Sequence, residues 1–127
     1  MRPWILKSIL KENFPHFTFK SQILERTDPK TNKKKIYRDV IRYDDKITDY
    51  TIVAKITMPT GADMRFFLSD QDCGAISALE FFTQKDSVAS FYKKHHLDVN
   101  EDFIALFKVS GSLRKSYEME FILLDKK

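Results

Sequence analysis

Apolar positions repeat first at a helical period. Ile5/Ile9 and Leu6/Leu10 fall at i, i+4, with Lys7, Ser8 and Lys11 on the other side, which is one face of a helix. Pro3 suits a first helical turn, where its missing N–H leaves no bond unmade. A helix is therefore predicted from Pro3 to Glu12, stopped by Asn13 and Pro15. Phe17, Phe19, Ile23 and Leu24 then lead into Asp28-Pro29-Lys30-Thr31-Asn32-Lys33-Lys34-Lys35, and Ile36, Tyr37, Val40, Ile41 and Tyr43 lead out. Asp-Pro followed by Thr-Asn is turn chemistry: proline fixes φ and asparagine accepts left-handed angles. This predicts a hairpin.

Asp44-Asp45-Lys46 and Asp49 read as a second turn. From Tyr50 to Met58 the chain alternates, with Tyr50, Ile52, Ala54, Ile56 and Met58 on one face and Thr51, Lys55 and Thr57 on the other. That two-residue period predicts a half-buried strand. Pro59 to Asp63 turns the chain and Met64 to Leu68 returns, giving a second hairpin. The stretch 69–74 is polar and loop-like, while Ile76, Leu79 and Phe82 fit a helical turn or a strand equally well. Asp86 or Ser87 is the expected N-cap of a further helix, on which Val88, Phe91, Tyr92 and His95 share a face. Phe103 to Val109 is an apolar run of the kind buried on both faces. Ser110-Gly111-Ser112 opens a loop, and Ser116 to Leu124 closes the chain with Tyr117, Met119, Phe121 and Leu123 on one face. About seven strands and two or three helices result: a mainly β protein with flanking helices, of the α+β class.

At 127 residues, 43% of them hydrophobic, one domain can bury a core unaided, and 1–127 is expected to be one. Eleven Phe against three Gly point to an aromatic core and long strands. One cysteine, Cys73, excludes an internal disulfide and fits a reducing compartment. No apolar run reaches the ~18 residues of a membrane span. A cytoplasmic location is expected, with no membrane partner. The ending just after Leu124 suggests the N-terminal module of a larger protein.

Charge changes the picture most. Residues 17–43 hold eight cations (Lys20, Arg26, Lys30, Lys33, Lys34, Lys35, Arg38, Arg42) and three anions (Glu25, Asp28, Asp39), a net of +5, while the whole chain is +4. The other residues together carry −1. Lysines on a projecting turn neutralise phosphates and release counterions. Gln22, Arg26, Arg38 and Arg42 stand on the supporting strands, and Arg pairs with guanine as Gln pairs with adenine. The hairpin is thus the candidate contact for double-stranded DNA. The rival is a protein-interaction or inhibitor module docking an acidic partner surface, and the bland reading is a solvated lysine turn that protects an edge.

Catalysis finds less support. Adjacent helical residues such as His95 and His96 point about 100° apart and make no i, i+4 metal clamp. Cys73 lies in no nucleophile motif. Asp28-Pro29-Lys30 and Asp44-Asp45-Lys46 give the Asp-x-Lys of a metal-dependent nuclease, but in turn-forming sequence rather than on a strand. No Gly-rich phosphate loop appears. The chain is expected to be non-catalytic, with no metal and no cofactor. Met64, Phe66, Phe81, Phe82 and Phe91 read as core rather than as a ligand pocket.

The last third resembles the end of the B3-like fold. The resemblance lies in the helix Ser87-Val88-Ala89-Ser90-Phe91-Tyr92-Lys93-Lys94, the leucine and acidic turn Leu97-Asp98-Val99-Asn100-Glu101-Asp102, the strand Phe103-Ile104-Ala105-Leu106-Phe107, and the closing strand to Leu124. B3-like domains serve plant transcription factors and the specificity domains of bacterial restriction endonucleases of the EcoRII and LlaJI kinds. The resemblance implies a seven-stranded pseudobarrel gripping the major groove with two arms. The basic hairpin would be one arm, and Arg65 with Ser69 and Gln71 the other. It also implies a C-terminal nucleotide-driven motor domain and cleavage by a separate nuclease subunit.

Overall fold

The structure, a computed structural model, describes residues 3–20, 23–41, 46–69, 72–112 and 115–127. The turn residues Asp44 and Asp45 lie outside the described residues. The architecture is mainly β, with helices α1 (Pro3–Asn13), α2 (Asp72–Thr83) and α3 (Lys85–Lys94). A three-stranded antiparallel sheet is ordered β1 (Phe17–Lys20), β2 (Ile23–Thr27), β3 (Lys34–Arg38). In a five-stranded sheet, β4 (Val40–Ile41), β5 (Ile47–Thr57), β7 (Phe103–Ser112) and β8 (Lys115–Lys126) follow in order, and β6 (Asp63–Leu68) pairs with β5. No described helix is long and apolar enough to cross a membrane. Contacts divide the chain into two units, one ending at Asp39 and one spanning Val40–Lys127.

In the first unit α1 ends as expected. The Asn13 side-chain amide donates to the Ile9 carbonyl (2.9 Å), and the Phe14 N–H donates to Leu10 O (2.7 Å). The Phe14 bond satisfies a last-turn carbonyl that has no partner within the helix. Among the described side chains, Leu10, Phe14, Phe17, Leu24 and Tyr37 are the buried apolar ones here. The segment before the basic turn forms two antiparallel strands, β1 and β2, rather than one run, with Lys20 paired to Ile23.

In the second unit β5 is the central strand. The expected half-buried strand is buried on both faces: Thr51 and Lys55 are 0% and 1% exposed, as closed off as Ile52 and Ala54. Thr51, Val53 and Lys55 share the face that packs with α2, where the aromatic core forms. The Phe91 ring stands 6.1 Å from Phe81, 5.3 Å from Phe82, 5.9 Å from Phe107 and 6.1 Å from Phe121. Mostly edge-on pairs like these add to the area they bury. Phe81, Phe82 and Phe91 are therefore core, as their periods imply.

Several boundaries differ from the sequence reading. Asp49, read as part of a turn, lies within β5 and is fully buried. Residues Asp72-Cys73-Gly74 begin α2 instead of continuing a loop, so Ile76, Leu79 and Phe82 are helical. The N-cap of α3 is Gln84, with extended angles and no side-chain cap bond. Asp86 and Ser87 sit inside the first turn, and the Ser87 hydroxyl donates back to Gln84 Oε1 (3.3 Å). Ser110 to Ser112 extend β7 rather than opening a loop. The closing strand does not keep one face throughout. Leu106 pairs with Leu123 but Phe107 with Phe121, an irregularity that skips Ile122. Such a bulge reverses the alternation beyond it. Met119, Phe121 and Leu124 therefore join the aromatic core, and Leu123 does not.

Candidate nucleic-acid interface

The basic hairpin is built by its loop. Asp28 Oδ1 accepts the Lys30 N–H (2.8 Å) and the Thr31 N–H (3.4 Å), the Asx turn that aspartate favours. The Asn32 N–H donates to Asp28 O and the Asp28 N–H to Lys33 O, both at 2.8 Å. Asn32 carries the left-handed φ of 59° that closes the loop, as its residue type predicts. Lys30 and Lys33 project from this fixed tip into solvent. Asn32→Val is expected to cost about 1–2 kcal/mol, with Asn32→Gly close to neutral. Equal thermal unfolding of the two variants would remove Asn32 from this role.

Register sorts the charges between faces, because residues directly opposite in a sheet share a side. Lys20, Ile23 and Arg38 form one rung, Thr18, Glu25 and Ile36 the next, and Thr27 with Lys34 a third, all on one face. That face is open: Lys20, Lys34 and Arg38 are exposed, and Ile36 is 47% exposed. Phe17, Arg26 and Lys35 form a rung of the opposite face, next to Phe19, Leu24 and Tyr37. Arg26 and Arg38 thus point away from each other. The Arg26 side chain is 17% exposed, lies 3.9 Å from Asp28 and stacks 6.0 Å over Phe17. Lys35 is exposed and rests 5.3 Å over the Tyr37 ring.

Glu25 was not singled out by sequence, yet it centres the open face. Its carboxylate is 3.7 Å from Lys20 and 3.6 Å from Lys34. Exposed pairs of this kind contribute at most about 1 kcal/mol, so both ammonium groups can leave for a stronger anion. Only the cross-strand register could reveal the clasp.

Gln22, Arg42 and Gln71 lie outside the described residues. Arg65 is exposed on β6 opposite Lys55, in the second unit, and Ser69 follows β6 half-buried. The Asp28 carboxylate of Asp28-Pro29-Lys30 is engaged by backbone N–H groups and Arg26. His95 lies against Phe121 (4.2 Å) and Phe91 (4.6 Å), and burial together with Lys94 and His96 lowers its pKa. His96 is exposed, with a left-handed φ of 53°. Comparison with protein-family models, curated proteins and solved structures finds no match to this chain.

Proposed function

We propose that this chain binds double-stranded DNA through the β2–β3 hairpin and does not itself cut it. One observation carries the reading: a loop fixed by its own hydrogen bonds holds Lys30 and Lys33 at the end of β2 and β3, in a three-stranded sheet whose open face presents Lys20, Lys34 and Arg38. The β2–β3 tip, from the Thr27–Lys34 rung to the loop, is the part offered to the major groove, which admits a two-stranded ribbon. Lys30, Lys33, Lys34 and Lys35 position the phosphates, and Arg38, with Gln22 and Arg42, reads bases. Arg26 supports the tip rather than reading, since it is turned to the other face over Phe17.

The finer assignment is a B3-like seven-stranded pseudobarrel acting as the targeting domain of a restriction-modification system. Element order supports it: α3, an acidic turn, β7 and β8 follow as in the B3-like domains that the segment resembles. Glu101 stands where those domains carry glycine. Here its carboxylate accepts the Asp98 N–H (2.8 Å) and pairs with Lys126 (3.4 Å), so the turn is held by a side chain instead.

A gel shift with random duplex at low and high salt tests the reading. Binding at low salt that fades with added salt is expected, whereas a module for an acidic protein surface gives no shift at either. Arg38→Ala should cost about 1–3 kcal/mol on a site selected from a randomised library, and little on random duplex. Equal losses on both would take Arg38 out of the base-reading role.

A further inference from the structure

The second unit contains a small cavity that the DNA reading does not use. It measures about 180 Å³ and lies between α2, α3 and strands β5, β6 and β7. Val53, Phe67, Phe82, Val88 and Phe103 form apolar walls, and Leu79, itself 52% exposed, stands at the edge. Its polar groups are few: Lys55, Arg65, Thr83 and Tyr92. We propose that this cavity binds a small aromatic carboxylate, with the ring between the apolar walls and the carboxylate on the Arg65 guanidinium and the Tyr92 hydroxyl.

Size sets the first limit. A dry apolar cavity of about 150 Å³ is enough to take up benzene, so 180 Å³ holds one ring and a short substituent. Charge sets the second. Lys55 is 1% exposed and already held by the Glu101 carbonyl (3.2 Å), Asp102 (3.6 Å) and Asp63 (3.8 Å). It makes the wall hostile to cations without being free to take an anion. Arg65 differs: among the described residues no carboxylate lies within ion-pair distance of it, and it is exposed beside the opening. Arg65 and Tyr92 line the same cavity; burial raises the Tyr92 hydroxyl pKa while the Arg65 charge opposes that and Asp63 adds to it. A guanidinium presents a planar fork of donors that matches a carboxylate. Asp63 works against the anion, but it is half exposed and paired with Lys55.

Sodium benzoate is the probe, with benzamide as its neutral isostere, followed by calorimetry and amide NMR shifts on the whole chain. Benzoate is expected to bind at least about tenfold more tightly than benzamide, shifting amides of β5, β7 and α3 around the cavity. Arg65→Gln, at an exposed position, should weaken benzoate at least about tenfold without changing the unfolding temperature. Leu79→Trp, which fills the opening from an exposed site, should abolish binding. Absence of benzoate binding, equal binding of benzamide, an unchanged Arg65→Gln or shifts confined to other surfaces would each overturn the proposal. If Leu79→Trp does not fold, Arg65→Gln alone decides. None of these measurements involves the hairpin or DNA.

Discussion

Lys55→Met is expected to destabilise the protein by about 3 kcal/mol at pH 7, at the lower end of the range for breaking one side of a buried ion pair. The ammonium sits at 1% exposure between Asp102 and Asp63. Methionine keeps the length of the stem but leaves the carboxylates without their cation. Asp102 feels this most, with its side chain 12% exposed, whereas Asp63 at 50% relaxes into water. The cost is limited because Asp102 keeps two other bonds, from the Thr57 N–H (2.9 Å) and the Thr57 hydroxyl (2.8 Å).

The pH dependence follows from Asp102. Desolvation pushes its pKa up, but the two Thr57 bonds and the charges of Lys55 and Lys127 prevail, so it lies below the ordinary aspartate range. A carboxylate depressed in the folded state contributes stability that is present above its unfolded pKa and lost as pH falls through the folded one. Wild type should therefore lose this contribution below about pH 4, and its urea midpoint should approach that of Lys55→Met there. Adding Asp102→Asn to Lys55→Met should recover part of the loss at pH 7, because the two groups are coupled. Equal midpoints of wild type and Lys55→Met at pH 7 would show that the pair is not holding the strands together.

The second large effect is on binding. Lys33→Ala/Lys34→Ala/Lys35→Ala should weaken duplex binding about 10²-fold near 0.1 M salt and flatten the log–log salt dependence by about 2–3, since each lost phosphate contact removes roughly 0.9 from the slope. The loss should be similar for all duplex sequences. Stability should stay within about 0.5 kcal/mol, as for exposed substitutions in general, because all three side chains are exposed. The open-face pair between Lys20 and Glu25 remains when Lys34 is removed. An unchanged salt slope in the triple variant would sink the proposal that the tip meets phosphate.

Much of the candidate interface was legible because turns are local. Asp28 and Asn32 act on backbone groups only a few residues away, so their types alone predict the loop and its left-handed residue. The same holds for the stop of α1 at Asn13 and for the hairpin of β5 and β6, which the pattern of apolar positions and Pro59 to Asp63 foretold. Arg26 shows the limit. Its place in a basic segment groups it with Arg38, yet which face each occupies depends on register, and a shift of one residue exchanges the faces. Ile122 shows it again, since a single skipped residue decided that Leu124 rather than Leu123 joins the core.

The sequence alone determined the basic turn and the β5–β6 hairpin, and that positive charge concentrates between residues 17 and 43, because these depend on neighbours along the chain. Only the tertiary structure decided that Lys55 is a buried, neutralised cation instead of a solvent-facing one. Alternation along β5 records two faces but not whether each is covered. That depends on α2, tens of residues later in the chain, and on Asp102, whose carboxylate the fold brings to the lysine.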